Sequence, residues 1–118
     1  MTVPEASPGK TTVSPAVLTT IAQLSALSVP GVSGLAPVTG GVNRLLRRGP
    51  AEGVRIEIED ELVYADLFLV LKADVNIREV SRNVQLQVSR AIQDMVGMEI
   101  GAIDIHVEDI DYGPDGAR

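Results

Sequence analysis

Between Val54 and Val96 the chain runs for 43 residues without a glycine or proline, and within that run the spacing of its apolar side chains changes. Val54, Ile56 and Ile58 alternate with Arg55, Glu57 and Glu59, the pattern of a strand with one wet face. Leu62 to Leu71 is apolar on both faces apart from Asp66, which predicts a second, more central strand. A turn at Asp60 and Glu61 would join the two as a hairpin. The period then lengthens: Ile77, Val80, Val84, Val88, Ala91, Ile92 and Met95 form one stripe of a helix, with Leu86 nearly opposite. Asn76 and Glu79 stand in the N-cap and N3 relation at its start, and Gly97 is placed to end it in a left-handed conformation. Ala102 to Asp109 returns to alternation, with Ile103, Ile105 and Val107 inward and Asp104, His106 and Glu108 outward.

The first half is less regular. Ser14-Pro15 opens a helix, because proline at the first helical position loses no hydrogen bond, and Val17, Leu18, Ile21, Leu24 and Ser28 fall near one face. Val29-Pro30-Gly31 ends it. Nine of the eighteen glycines and prolines then lie between Pro30 and Gly53, so residues 30–53 are expected to form a loop. The order αββαβ predicts an α+β fold: a two-layer domain over 14–111, with a small mixed three-stranded sheet and two helices on one face. Residues 1–13 are expected to be a flexible arm and 112–118 a flexible tail. If the strands on either side of the second helix are parallel neighbours, the connection is a right-handed crossover.

Charge and composition narrow the chemistry. The 118 residues carry 10 Lys and Arg against 16 Asp and Glu, with one histidine and no cysteine. Zinc clusters, thiol nucleophiles, disulfides and iron-sulfur sites lack ligands, so no metal, no cofactor and no catalytic residue is expected. A net charge of −6 argues against a free nucleic-acid binder, which needs clustered cations to displace counterions. Neither a secretory signal nor an apolar run of about 20 residues is present, so direct membrane insertion is not expected.

The second half carries a family resemblance. Ala65-Asp66-Leu67-Phe68-Leu69-Val70, then Val75-Asn76-Ile77, Glu79-Val80, Arg82-Asn83-Val84-Gln85 and Val88, then Gly97-Met98-Glu99 and Val107-Glu108-Asp109, resemble the alkaline shock protein family of Gram-positive bacteria, also called envelope stress response proteins. Upstream, Val29-Pro30-Gly31-Val32 and Gly53-Val54 also match, whereas Arg78 and Leu86-Gln87 depart from the family's usual proline and charged pair. The resemblance covers roughly residues 13–111. It implies a non-enzymatic, cytoplasmic protein that self-associates, is held at the inner face of the membrane by an anchoring partner protein, and serves the envelope stress response.

If both helices cover one side of the sheet, Tyr64, Asp66, Phe68 and Val70 face the other, joined by Arg55, Glu57, Asp104 and His106. An exposed patch with Tyr64, Phe68 and Val70 would be a contact surface, unless the arm or loop folds over it. Tyr64, Asp66, Phe68, Val70 and His106 are therefore the candidate interface. An enzyme would use His106 as a base oriented by Asp66 or Asp104, but no Ser, Cys or Lys nucleophile adjoins it in sequence. Arg44, Arg47, Arg48 and Arg55 form a second candidate contact, opposed only by Glu52, while residues 99–115 hold Glu99, Asp104, Glu108, Asp109, Asp111 and Asp115 without a cation. One subunit's arginines would then meet the next subunit's carboxylates, a head-to-tail contact that gives filaments where it does not close. The alternative is a KH-like RNA-binding module, suggested by αββαβ and the Gly31-Val32-Ser33-Gly34 string. The tail's calcium-loop beginning at Asp109 lacks the closing glutamate.

Overall fold

The computed structural model describes residues 9, 11–37 and 53–113. It contains helix α1 (Pro15–Leu27), strands β1 (Val32–Leu35), β2 (Val54–Glu59) and β3 (Leu62–Lys72), helix α2 (Ile77–Val96) and strand β4 (Glu99–Asp111). The fold is α+β, with one mixed four-stranded sheet under two helices.

β3 is the spine. Its first half pairs antiparallel with β2 in a hairpin closed by Asp60 and Glu61, both at positive φ (52° and 68°), as a tight two-residue turn between twisted strands requires. Its last residues pair antiparallel with β1, and its other edge pairs in parallel with β4 along the full length. Consequently Val63, Leu67, Leu69 and Leu71 are fully buried, and each contributes on the order of 1.5–3 kcal/mol by leaving water.

α2 matches the expected bounds. The Asn76 side chain accepts from the Glu79 N–H at 3.0 Å, and Gly97 closes the helix at φ 80°. Its buried stripe is Val80, Val84, Val88 and Ile92, while the expected end members Ile77 and Met95 lie exposed, beyond the ends of the packed surface. Gln85 leans to the sheet and donates to the Ile103 carbonyl at 2.9 Å.

α1 begins at Pro15 as expected but is rotated from the expected face. Leu18, Ala22, Gln23 and Ala26 point inward, Ile21 is half-buried, and Val17 and Leu24 are exposed, Leu24 by 65%. Alanines let a helix approach its neighbours closely, so the small residues took the core and the larger ones were left outside. Val13, at the end of the expected arm, packs against the core.

The sheet has four strands rather than three, because Val32–Leu35, inside the expected 30–53 loop, is β1. Gly31 precedes it at φ 102°, where an added Cβ would come within 2.7 Å of Val80. β4 also starts earlier and ends later than expected, at Glu99 and Asp111.

Candidate interaction surface

The face of the sheet opposite the helices is built by alternation along β3. Because Ala65, Leu67 and Leu69 are inward, Tyr64, Asp66, Phe68 and Val70 are outward. The hairpin register sets Arg55 opposite Asp66 and Glu57 opposite Tyr64. The parallel register sets Asp104 beside Asp66 and His106 beside Phe68.

At its centre is a compact cluster. His106 Nε2 donates to Asp66 Oδ1 at 3.0 Å, and Arg55 Nε lies 3.5 Å from Asp66 Oδ2. The imidazole stacks on Phe68 with centroids 4.5 Å apart and planes 12° apart, and the Arg55 guanidinium sits 5.9 Å from the Phe68 centroid. Asp66 thus holds one basic side chain from each neighbouring strand. The sequence expectation placed Phe68 in an exposed apolar patch, but the residue is only 4% exposed. The face that a partner would meet is amphipathic: half-buried Tyr64 and Val70 flanking a charged, ring-stacked centre. Of the two carboxylates expected to orient His106, Asp66 is the one bonded to it.

Two features escaped the sequence reading. Gly101 forms a bulge in β4 and lies beneath the Tyr64 ring, so that an added Cβ would meet ring carbons at 2.5 Å. An isolated glycine inside an alternating strand was the available signal. At the far end Ser33 of β1 donates to Asp111 Oδ2 at 2.5 Å, and the Gly113 N–H donates to Oδ1 at 2.9 Å. These bonds, with Lys72 nearby, hold the Asp111 carboxyl below the usual aspartate range.

Arg55 belongs to the sheet face rather than to a basic loop, while Arg44, Arg47 and Arg48 lie outside the described residues. The Gly31–Gly34 string forms a turn and the start of β1, unlike the loop between two helices that the RNA-binding alternative needs. Among the described residues no three His, Asp or Glu side chains converge to hold a metal, and no helix is long and apolar enough to cross a membrane.

Residues 4–112 match the model of the alkaline shock protein family, which is described as having a cell envelope-related function. The chain is 28% identical over 106 residues to the uncharacterized protein YqhY of Bacillus subtilis, covering 88% of this chain and 78% of that one. It is 32% identical over 105 residues to the uncharacterized protein Spy1535 of Streptococcus pyogenes, covering 86% and 79%. Among solved structures, a copper form of the MamM CTD superposes with a TM-score of 0.57 at 16% identity, over 80% of this chain and 75% of that one. A doubly substituted form of the same domain gives 0.56 at 14% identity, over 84% and 97%. At such identities the likeness is one of fold.

Proposed function

Because the chain belongs to the alkaline shock protein family, whose function is cell envelope-related, we propose that it is a non-enzymatic interaction and assembly protein of the envelope stress response. It works in the cytoplasm, associates with copies of itself, and reaches the inner face of the membrane through an anchoring protein. The observation that carries this reading is the sheet face opposite the helices, where Arg55, Asp66, Phe68 and His106 form a preorganised cluster between Tyr64 and Val70. Rigid rings with charged groups around them are what protein contacts concentrate. A non-catalytic role for His106 is favoured by its own bonds. Nε2 is engaged by Asp66 and one ring face by Phe68, which suits a packed positioning element.

The test is to replace Tyr64 and Val70 together by glutamate, leaving the buried Phe68 in place. Sedimentation velocity over a concentration series and capture of membrane proteins from the native host are then compared with the wild-type chain. Loss of assembly or of the captured anchor, with unchanged circular dichroism, is expected. Unchanged behaviour in both would remove this face from the proposal, and salt-sensitive binding of mixed RNA would favour the KH-like alternative instead.

A further inference from the structure

Among the described residues β4 pairs only with β3, which makes it an edge strand, and its backbone geometry defines what can pair with it. Phe68 directs its N–H to Gly53 and its carbonyl to Ala36, on the β1 and β2 side, so the odd-numbered residues of β3 address β4. In a parallel ladder each of these bonds to the residues flanking its partner. Ala65 and Leu67, opposite Ile103 and Ile105, therefore engage Ala102, Asp104 and His106. The N–H and carbonyl groups of Ile103, Ile105 and Val107 point away from the sheet. The Gln85 amide on the Ile103 carbonyl agrees with this, since that carbonyl takes no part in the β3 ladder. A carbonyl oxygen has two lone pairs, so this bond leaves one for a partner strand.

We infer that two copies of this chain join through antiparallel pairing of β4 with β4 about a two-fold axis at Ile105, making one continuous sheet across the dimer. This rests on the self-association proposed above and adds to it a second contact, at the sheet edge rather than on the Tyr64 and Val70 face.

The register follows from charge and from which groups point outward. Centred on Ile105, the two Ile105 residues face each other as a hydrogen-bonded pair, and each Ile103 faces the partner's Val107 in the same way. Each Asp104 then faces the partner's His106 at a closely spaced, non-hydrogen-bonded position, so no carboxylate meets another carboxylate across the axis. Shifting the centre to Asp104 would set two aspartates against each other, and shifting it to His106 would set Asp104 against the partner's Glu108. Like charges directly opposite are destabilising, so the Ile105 register is favoured over both of these shifts. The segment lies between the bulges at Gly101 and Glu108, where β4 is regular. On the helix side, Ile105 and Val107 are only half-buried in one copy, and the partner would cover what remains. An isologous contact of this kind closes on itself, in contrast to a head-to-tail one.

Two variants test it in the full chain. Ile105→Pro removes an N–H that points outward, so it deletes both central dimer bonds without touching the β3 ladder. It should shift sedimentation toward monomer at concentrations where wild type is dimeric, with unchanged circular dichroism. Ile105→Cys introduces the chain's sole cysteine. Its Cα should lie about 5.5 Å from its mate, within disulfide range, so mild oxidation should give a covalent dimer far faster than Asp94→Cys on the exposed side of α2. If the proline variant misfolds, the cross-link decides alone. Wild-type assembly with no preferential cross-link at position 105 would overturn the β4 pairing and leave self-association standing. A wild-type chain that stays monomeric at every concentration would overturn both.

Discussion

The two faces of β3 are made by alternate residues of one strand, yet they are held by different physics. On the helix side Val63, Leu67, Leu69 and Leu71 are buried against α1 and α2, and the interaction is non-directional burial. On the other side Asp66, Phe68 and their neighbours depend on a few directional contacts with Arg55 and His106. A packed face tolerates apolar exchanges that preserve volume, whereas a clustered face tolerates changes in volume only if its bonds survive. One strand can therefore carry stability on one side and recognition on the other.

The largest effect that would break this contrast is on the packed side. Leu69→Ala should cost about 2–5 kcal/mol in chemical denaturation, because the surrounding strands and helices cannot close the cavity. A loss under about 1 kcal/mol would show that the helix layer is loosely packed. Gly101→Ala comes next, at roughly 1–3 kcal/mol, since its methyl group must displace the Tyr64 ring. The pair Gly101→Ala with Tyr64→Ala should recover most of the loss, and failure to recover would mean that backbone strain at the bulge dominates.

His106→Ala removes a stacked ring and a partly exposed hydrogen bond to Asp66, and should cost about 1 kcal/mol, nearly all from the stack. Its sharper signature is a mobile Phe68 ring in aromatic NMR spectra. The smallest effect is at Asp111, whose lowered folded value means a contribution to stability that is present above the ordinary aspartate range and lost as pH falls through the folded value. Ser33→Ala should move the Asp111 carboxyl upward in an NMR titration and flatten the acid limb of stability against pH. An unmoved titration would mean that the Gly113 N–H and the nearby Lys72 hold it without Ser33.

The legible parts of the molecule were those decided within a few residues. α2 could be read because its cap, its stop and its stripe are all local, from the Asn76 side chain on Glu79 to Gly97. The hairpin could be read because two turn residues join two patterned runs. α1 was misread in phase: Val17 and Leu24 outweighed Ala22 and Ala26 in the pattern, although closeness to the neighbouring elements favoured the small residues. β1 was missed because its four residues are a strand only through pairing with the end of β3. The candidate face was legible as a list of outward residues. Its internal arrangement was not, since Arg55, Asp66 and His106 come from three strands and meet only once the registers are set.

By itself the sequence determined the alternation of β2 and β4, the two-sided apolar run of β3, the bounds of α2, and the absence of cysteine, which closes off thiolate chemistry. These are properties of composition and of nearest neighbours along the chain. The tertiary structure decided which face of α1 is inside, that Phe68 lies under His106 and Arg55, and that the backbone of Ile103, Ile105 and Val107 faces outward at the edge of the sheet. Each depends on packing or strand register between residues far apart in the chain, and those are set by the whole core rather than by any local run.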